Sequence, residues 1–195
     1  MKRGNRTIME EKTKEAIIKA TFELLKHKDM NSISIREIAA KADVNMATIS
    51  YYFGGKVQLF SYLMELHWAD LIELCNELLA KQEITKEDSC QFCLQFMKKQ
   101  MNSTGIIRSE QIMYQNYEID VNTGNRLKVQ FEAFHKIVIT FFHKSEDESV
   151  ILAKEIALLS ALCLPAYWNE VAMPLVGDVD SFMEMYVRQL IDELS

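Results

Sequence analysis

Ser34 to Phe60 reads SIREIAAKADVNMATISYYFGGKVQLF, and this stretch decides the fold of the first part of the chain. Ser34 followed three residues later by Glu37 is a capping box, and Ile33 and Ile38 are placed to close a hydrophobic staple around it. The helix that begins there runs to about Ala42. Asp43-Val44-Asn45 interrupts it, and the side chain of Asn45 is suited to accept the backbone amide of Thr48 or its neighbour and so cap a further helix. That helix is short, because Gly54-Gly55 permits a sharp change of direction, and another helix starts near Lys56. Helix, three-residue turn and short helix make a helix-turn-helix, whose second helix is of a size to lie in the roughly 12 Å wide major groove of DNA.

Outward from this stretch the pattern stays helical. Upstream, Ile17, Ala20, Leu24, Ile18 and Leu25 recur at helical spacing between Lys12 and Lys28. Downstream, helices are predicted over about 56–81, 85–103, 106–119, 122–145, 148–172 and 179–194. Leu127, Phe131, Phe134, Val138 and Phe141 form one apolar stripe, and Pro165 is expected to kink the penultimate helix. The 195 residues contain 6 glycines and 2 prolines, about 4% against roughly 12% in average usage, too few for the turns of a sandwich or barrel. The fold class is therefore all-α. An N-terminal three-helix domain over 1–56 is followed by a larger helical domain over 57–195, joined without a low-complexity linker.

Charge divides at the same place. Residues 1–56 carry 11 basic and 7 acidic groups, a balance of +4, whereas 57–195 carry 11 basic and 21 acidic, a balance of −10. A positive first part attracts polyanions and an acidic remainder repels them, so only the N-terminal end is expected to meet nucleic acid. The longest nearly apolar stretch, Ile156 to Trp168, falls short of the roughly 20 residues of a membrane helix, and no transmembrane segment is expected. The charged N-terminus lacks the apolar core of a signal peptide, which with four cysteines in no dense framework implies a cytoplasmic protein.

The same 27 residues resemble the N-terminal signature of the tetracycline-repressor (TetR) family of bacterial regulators. The resemblance lies in Arg36-Glu-Ile-Ala39, Val44, Thr48 and the Tyr51-Tyr52-Phe53 run that ends at Lys56, and it extends to A-I-I-K-A-T-F-E-L-L in the opening helix, about 50 residues in all. It implies a homodimeric transcriptional regulator, most simply a repressor, whose C-terminal domain binds a small effector and releases an inverted-repeat operator. Two positions depart from the pattern. Asp43 stands where the family often has glycine in a left-handed conformation, and Ser50 where an aromatic residue is frequent.

Direction divides the residues of the short helix. Val44, Ile49 and Phe53 face inward, and Met46, Ala47, Ser50 and Tyr51 point outward. Met46 and Ala47 suit thymine methyl groups, Ser50 is permissive, and the arginine fork for guanine is missing. Thr48 and the hydroxyls of Tyr51 and Tyr52 are candidates for phosphate contact. Lys56 is expected to hold a phosphate together with the free amides and positive dipole end of the helix it starts. Lys2, Arg3 and Arg6 read equally as a DNA-following arm or a solvated tail.

In the second part, Trp68, Phe96, Met113, Tyr114, Tyr117, Phe131, Phe134, His135, Tyr167 and Trp168 are candidates to line an effector cavity for an apolar or aromatic compound. Tyr114, Tyr117 and Glu118 lean toward a cationic one. The dimer seam is expected on the last two helices, from Ile156, Leu159, Leu162 and Cys163 on one and Phe182, Met185, Tyr186, Ile191 and Leu194 on the other. Cys90-Gln-Phe-Cys93 and Glu132-Ala-Phe-His135 are each half of a metal motif at most, so no metal or other cofactor is expected. No G-x-S-x-G, H-E-x-x-H or phosphate loop is present, and the chain is not read as an enzyme. A DNA-binding regulator without an effector is the alternative, with an all-helical metalloenzyme behind it.

Overall fold

The computed structural model describes residues 2–107, 109, 121–141, 147–168 and 173–194, with the side chains of all of these but 2–8, 121–123 and 194. Among the described residues the regular elements are helices: α1 (Lys2–Leu25), α2 (Ile35–Lys41), α3 (Met46–Phe53), α4 (Lys56–Ala80), α5 (Lys86–Asn102), α6 (Val121–Phe141), α7 (Glu148–Tyr167) and α8 (Val179–Leu194), with a 3-10 turn at Met173–Leu175. Helix α1 starts ten residues before the predicted Lys12. Most of the helix expected over 106–119, the end of that over 122–145 and the last residues of that over 148–172 lie outside the described residues.

The chain divides into two compact units, and the division does not fall at a single point. Met1–His67 and Ser103–Asn116 make the first, Trp68–Asn102 and Tyr117–Ser195 the second. The first part of α4 thus belongs with the helix-turn-helix and the rest with the second unit.

The first unit is built on a core of Ile17, Leu25, Ile33, Ile38, Ala39, Ile49, Leu59, Phe60, Leu63 and Ile106. Ile33 and Ile38, the two ends of the expected staple, are both buried in it. The capping box forms as the sequence requires: Glu37 N donates to Ser34 Oγ at 3.2 Å, and Ser34 N donates to Glu37 Oε2 at 2.8 Å. Asp43 takes a positive φ of 54°, the left-handed turn conformation. Residues 103–107 and 109 return to this unit and close the end of α1. Thr104 Oγ1 donates to the Lys26 carbonyl at 3.3 Å, and Met30 N donates to Ser109 Oγ at 3.0 Å. Gly105 fits there for want of a side chain, since a Cβ would stand 2.0 Å from the Leu25 carbonyl oxygen.

In the second unit α7 packs on α5 and α6, and α8 packs on α5 and α7. Helix starts carry side-chain caps: Thr85 and Asp88 exchange bonds at α5, Asp147 accepts the Ser149 amide at α7, and Asp178 accepts that of Ser181 before α8. Lys136 of α6 donates to the carbonyls of Leu78 at 3.2 Å, Leu79 at 3.0 Å and Lys81, closing the end of α4 where its own amides have run out. Phe92, Phe96 and Phe134 are buried together, with ring centroids 5.5 Å (Phe92 to Phe134) and 5.2 Å (Phe96 to Phe134) apart, edge to face.

Helix α7 is long and apolar enough to cross a membrane by length and composition, a property the sequence reading missed by counting only its unbroken apolar run. Only 22% of its apolar window is buried. Lys154 and Glu155 stand in mid-helix, and Glu155 is buried against His135 of α6, Nδ1 to Oε1 2.6 Å.

Candidate nucleic-acid interface

Local bonds position α3. Asn45, in extended conformation, accepts the amide of Ala47 on its Oδ1 at 3.0 Å, and Gly54 closes the other end with φ 84° and its N–H on the Ser50 carbonyl. Ile49 is fully buried, and Val44 and Phe53 pack on the same core, so one face of α3 is fixed and the opposite face is determined.

That opposite face is open. Met46 is 48% exposed and Tyr51 73%, with Ala47 and Ser50 exposed beside them and Thr48 half-buried. No residue of Met46–Phe53 carries a charge. The two tyrosines differ: Tyr51 projects freely, whereas Tyr52 packs partly on the core, edge-on to Tyr51 at 5.0 Å, with Lys14 Nζ 5.7 Å from its ring centroid. The sequence had not singled out Lys14, whose place beside α3 comes from packing of α1 against a residue 38 positions away.

Lys56 begins α4 immediately after the Gly54-Gly55 turn, half-buried, with Nζ 5.8 Å from the Phe60 ring centroid. Its stem lies on an apolar ring while the ammonium stays beside the first turn of a 25-residue helix, a combination suited to holding a phosphate. The side chains of Lys2, Arg3 and Arg6 lie outside the described residues.

The candidates of the second part are only partly brought together. Trp68, Phe96 and Phe134 are buried, and Phe131 and Tyr167 are half-buried. His135 is exposed and bonds the buried Glu155, and Trp168 is exposed. Met113, Tyr114, Tyr117 and Glu118 lie outside the described residues. A cleft of about 250 Å³ instead opens between α5 and α8, bordered by Glu87, Cys90, Leu94 and Arg188, none of which the sequence had marked for a cavity. Cys90 and Cys93 are both buried, with thiol pKa values pushed upward by burial, and among the described residues no three His, Cys, Asp or Glu side chains converge on a metal-sized space.

The expected dimer residues separate into two sets. Ile156 is 49% and Met185 59% exposed, and Leu159, Cys163, Phe182 and Tyr186 are half-buried. Leu162 and Ile191 are fully buried within their own subunit, where α7 and α8 pack together, so their side chains are not at its surface. The Leu194 side chain lies outside the described residues.

Helices α2 and α3, with the turn between them, have the arrangement of a helix-turn-helix, and Lys56 follows at the start of α4. Residues 17–63 match the model of the bacterial regulatory proteins of the tetR family. The chain is 32% identical over 115 residues to a probable HTH-type transcriptional regulator, YttP, of Bacillus subtilis (strain 168), a match covering 57% of this chain and 54% of that protein. The match thus spans about half the length of that relative. The fold is similar to a transcriptional regulator (TerR/AcrR family) from Aquifex aeolicus VF5, with TM-score 0.61, 16% identity and coverage of 94% of this chain and 99% of that one. It is also similar to a tetR-family transcriptional regulator from Streptomyces coelicolor, with TM-score 0.63, 14% identity and coverage of 94% and 79%. The likeness to the TetR family thus lies in the helix-turn-helix region, residues 17–63, and in the fold of the whole chain.

Proposed function

We propose that the protein is a sequence-specific DNA-binding transcriptional regulator, acting as a homodimer on an inverted repeat and as a repressor released by a small effector. The observation that carries the DNA-binding reading is the open face of α3, Met46, Ala47, Ser50 and Tyr51, set beside a phosphate-suited Lys56. Bases meet the first group and the backbone meets Lys56, with Thr48, Tyr51 and Tyr52 adding hydroxyl contacts. Selection of bound sequences from random duplex DNA by the full chain tests this. An enriched inverted repeat is expected, and an unenriched pool would overturn it.

A second copy of the chain is the partner that fits the exposed apolar side of α7 and α8. Leu152, Ile156 and Met185 are open to solvent in the single subunit, a pattern that calls for cover. A lipid partner suits α7 less well, because Glu155 is hydrogen-bonded to His135 and would take that polar pair into hydrocarbon.

The reading without an effector has one observation in its favour. Phe92, Phe96 and Phe134 pack their rings together inside the second unit, and two of them, Phe96 and Phe134, are among the cavity candidates. An effector would therefore have to act at another layer of the same unit.

A further inference from the structure

Among the described residues, two polar atoms deep in the second unit have no hydrogen-bond partner: Gln100 Oε1 on α5 and Gln130 Nε2 on α6. Both residues are more than nine-tenths buried. Buried amide groups are almost always bonded, so an acceptor and a donor left unmatched in one helical unit call for an explanation.

Helix pairing sets them at nearly the same height in the bundle. Asp70 pairs with Lys99 at 3.5 Å and Lys81 with Asp88, which makes α4 and α5 antiparallel in one register. Arg126 lies 5.8 Å over the Trp68 ring and Lys136 reaches the Leu78 carbonyl, which makes α4 and α6 parallel. In that register Gln100 stands at the height of Ala69 and Gln130 at the height of Ile72, about 4.5 Å apart along the bundle at 1.5 Å per residue. Both lie one helical turn from the aromatic cluster, Gln100 beyond Phe96 and Gln130 before Phe134. The other end of the Gln100 amide is held by Cys163 of α7, Nε2 to Sγ 3.8 Å. One atom can only accept and the other only donate, yet they do not bond each other.

We propose that this layer is the effector site, and that its ligand is a neutral aromatic or heteroaromatic molecule carrying an adjacent donor and acceptor, such as an amide or lactam. Its N–H bonds Gln100 Oε1, its carbonyl accepts from Gln130 Nε2, and its ring lies against Phe96 and Phe134. Neither glutamine supplies a counter-charge, which turns the site away from the cationic compounds that the tyrosines had suggested. The two atoms have almost no exposure, so a ligand reaches them only by separating α5 from α6 and is bound at the expense of the packed arrangement. The proposal rests on reading the second unit as the effector-binding part of a DNA-binding regulator.

The test uses the full chain, thermal denaturation and five probes at millimolar concentration: benzamide and 2-pyridone, toluene as the apolar shape, and benzoate and benzylamine as the charged ones. Benzamide and 2-pyridone are expected to raise the melting temperature, and the other three to do so less or not at all. Gln100→Met and Gln130→Met each raise the concentration for half-maximal shift about tenfold, as loss of one buried hydrogen bond would. The double variant loses the shift and, free of ligand, melts no lower than wild type because two unmatched groups are gone. A double variant that melts well below wild type, shifts retained in both single variants, an equal or larger response to benzoate or benzylamine, or no response to any probe would overturn the proposal. DNA binding by ligand-free wild type, measured in parallel, tests the underlying reading separately.

Discussion

Gly105 lies against the end of α1 so closely that a methyl group on its Cα would stand 2.0 Å from the Leu25 carbonyl oxygen and 2.5 Å from that of Lys28. Both obstacles are backbone and cannot swing aside. Gly105→Ala should cost at least the upper part of the roughly 1–3 kcal/mol typical of overpacking, read as a lower melting temperature. Gly124, in α6 with nothing within 4 Å of its added Cβ, is the control: Gly124→Ala should stabilise by about 0.5–1 kcal/mol through helix propensity alone. Equal effects at the two glycines would show that Gly105 does not dock on the end of α1 as described.

The capping box gives a pH dependence of known sign. Glu37 is held down from an ordinary 4.5 to about 2, first by its bond to Lys28 and then by the Ser34 amide and hydroxyl. Its folded value lies below its unfolded one, so its contribution to stability is complete above pH 4.5 and is lost as pH falls toward 2. The stability difference between wild type and Glu37→Gln should therefore shrink from pH 6 to pH 3. Other carboxylates that titrate low, such as Asp29 and Asp178, are present in both proteins and cancel. A difference that stays constant with pH would remove the carboxylate charge from the cap.

Ser34, Glu37, Asn45 and Gly54 were legible in the sequence because each acts on backbone within four residues of itself. Asp43 was legible through its resemblance to a glycine position, and its φ of 54° fits. What the sequence could not supply was the partner across the fold. Helical spacing marks Leu162 and Ile191 as apolar but not whether a neighbouring helix or a second subunit covers them, and they are covered from within. Likewise Gly105, Lys136 and the His135–Glu155 pair act across 20 to 80 residues, and no local pattern marks such a distance.

Removing the Lys56 cation should weaken binding to any DNA sequence. For Lys56→Ala the dependence of log affinity on log salt should fall by up to about 2 per dimer, from roughly 0.9 per phosphate charge. Titrations at several salt concentrations measure it, and an unchanged slope would take Lys56 off the phosphate.

The uncharged face of α3 makes a chemical prediction about its operator. Replacing thymine by uracil at the bases facing Met46 and Ala47 should weaken binding roughly fourfold per methyl, taking about 0.8 kcal/mol for each. Exchange of guanine for 7-deazaguanine at the same positions should have little effect, because α3 offers guanine N7 no Arg or Lys. The reverse sensitivity would mean that another element reads the bases.

Ile156→Glu and Met185→Glu place charges where the single subunit leaves its side chains exposed, so each subunit should keep its helicity and stability to within about 0.5 kcal/mol. Association should be lost. Analytical ultracentrifugation at micromolar concentration should find wild type dimeric and the double variant monomeric, and a monomeric wild type would contradict the seam.

The central claim, sequence-specific recognition of DNA by paired α3 helices, is met most directly by one titration. The duplex recovered from random-sequence selection is compared, at one physiological salt concentration, with the same duplex carrying one scrambled half-site and with an unrelated duplex. The account predicts affinity for the selected duplex about 10³-fold or more above the unrelated one, with most of that ratio lost when either half-site is scrambled. Equal affinity for all three would contradict it.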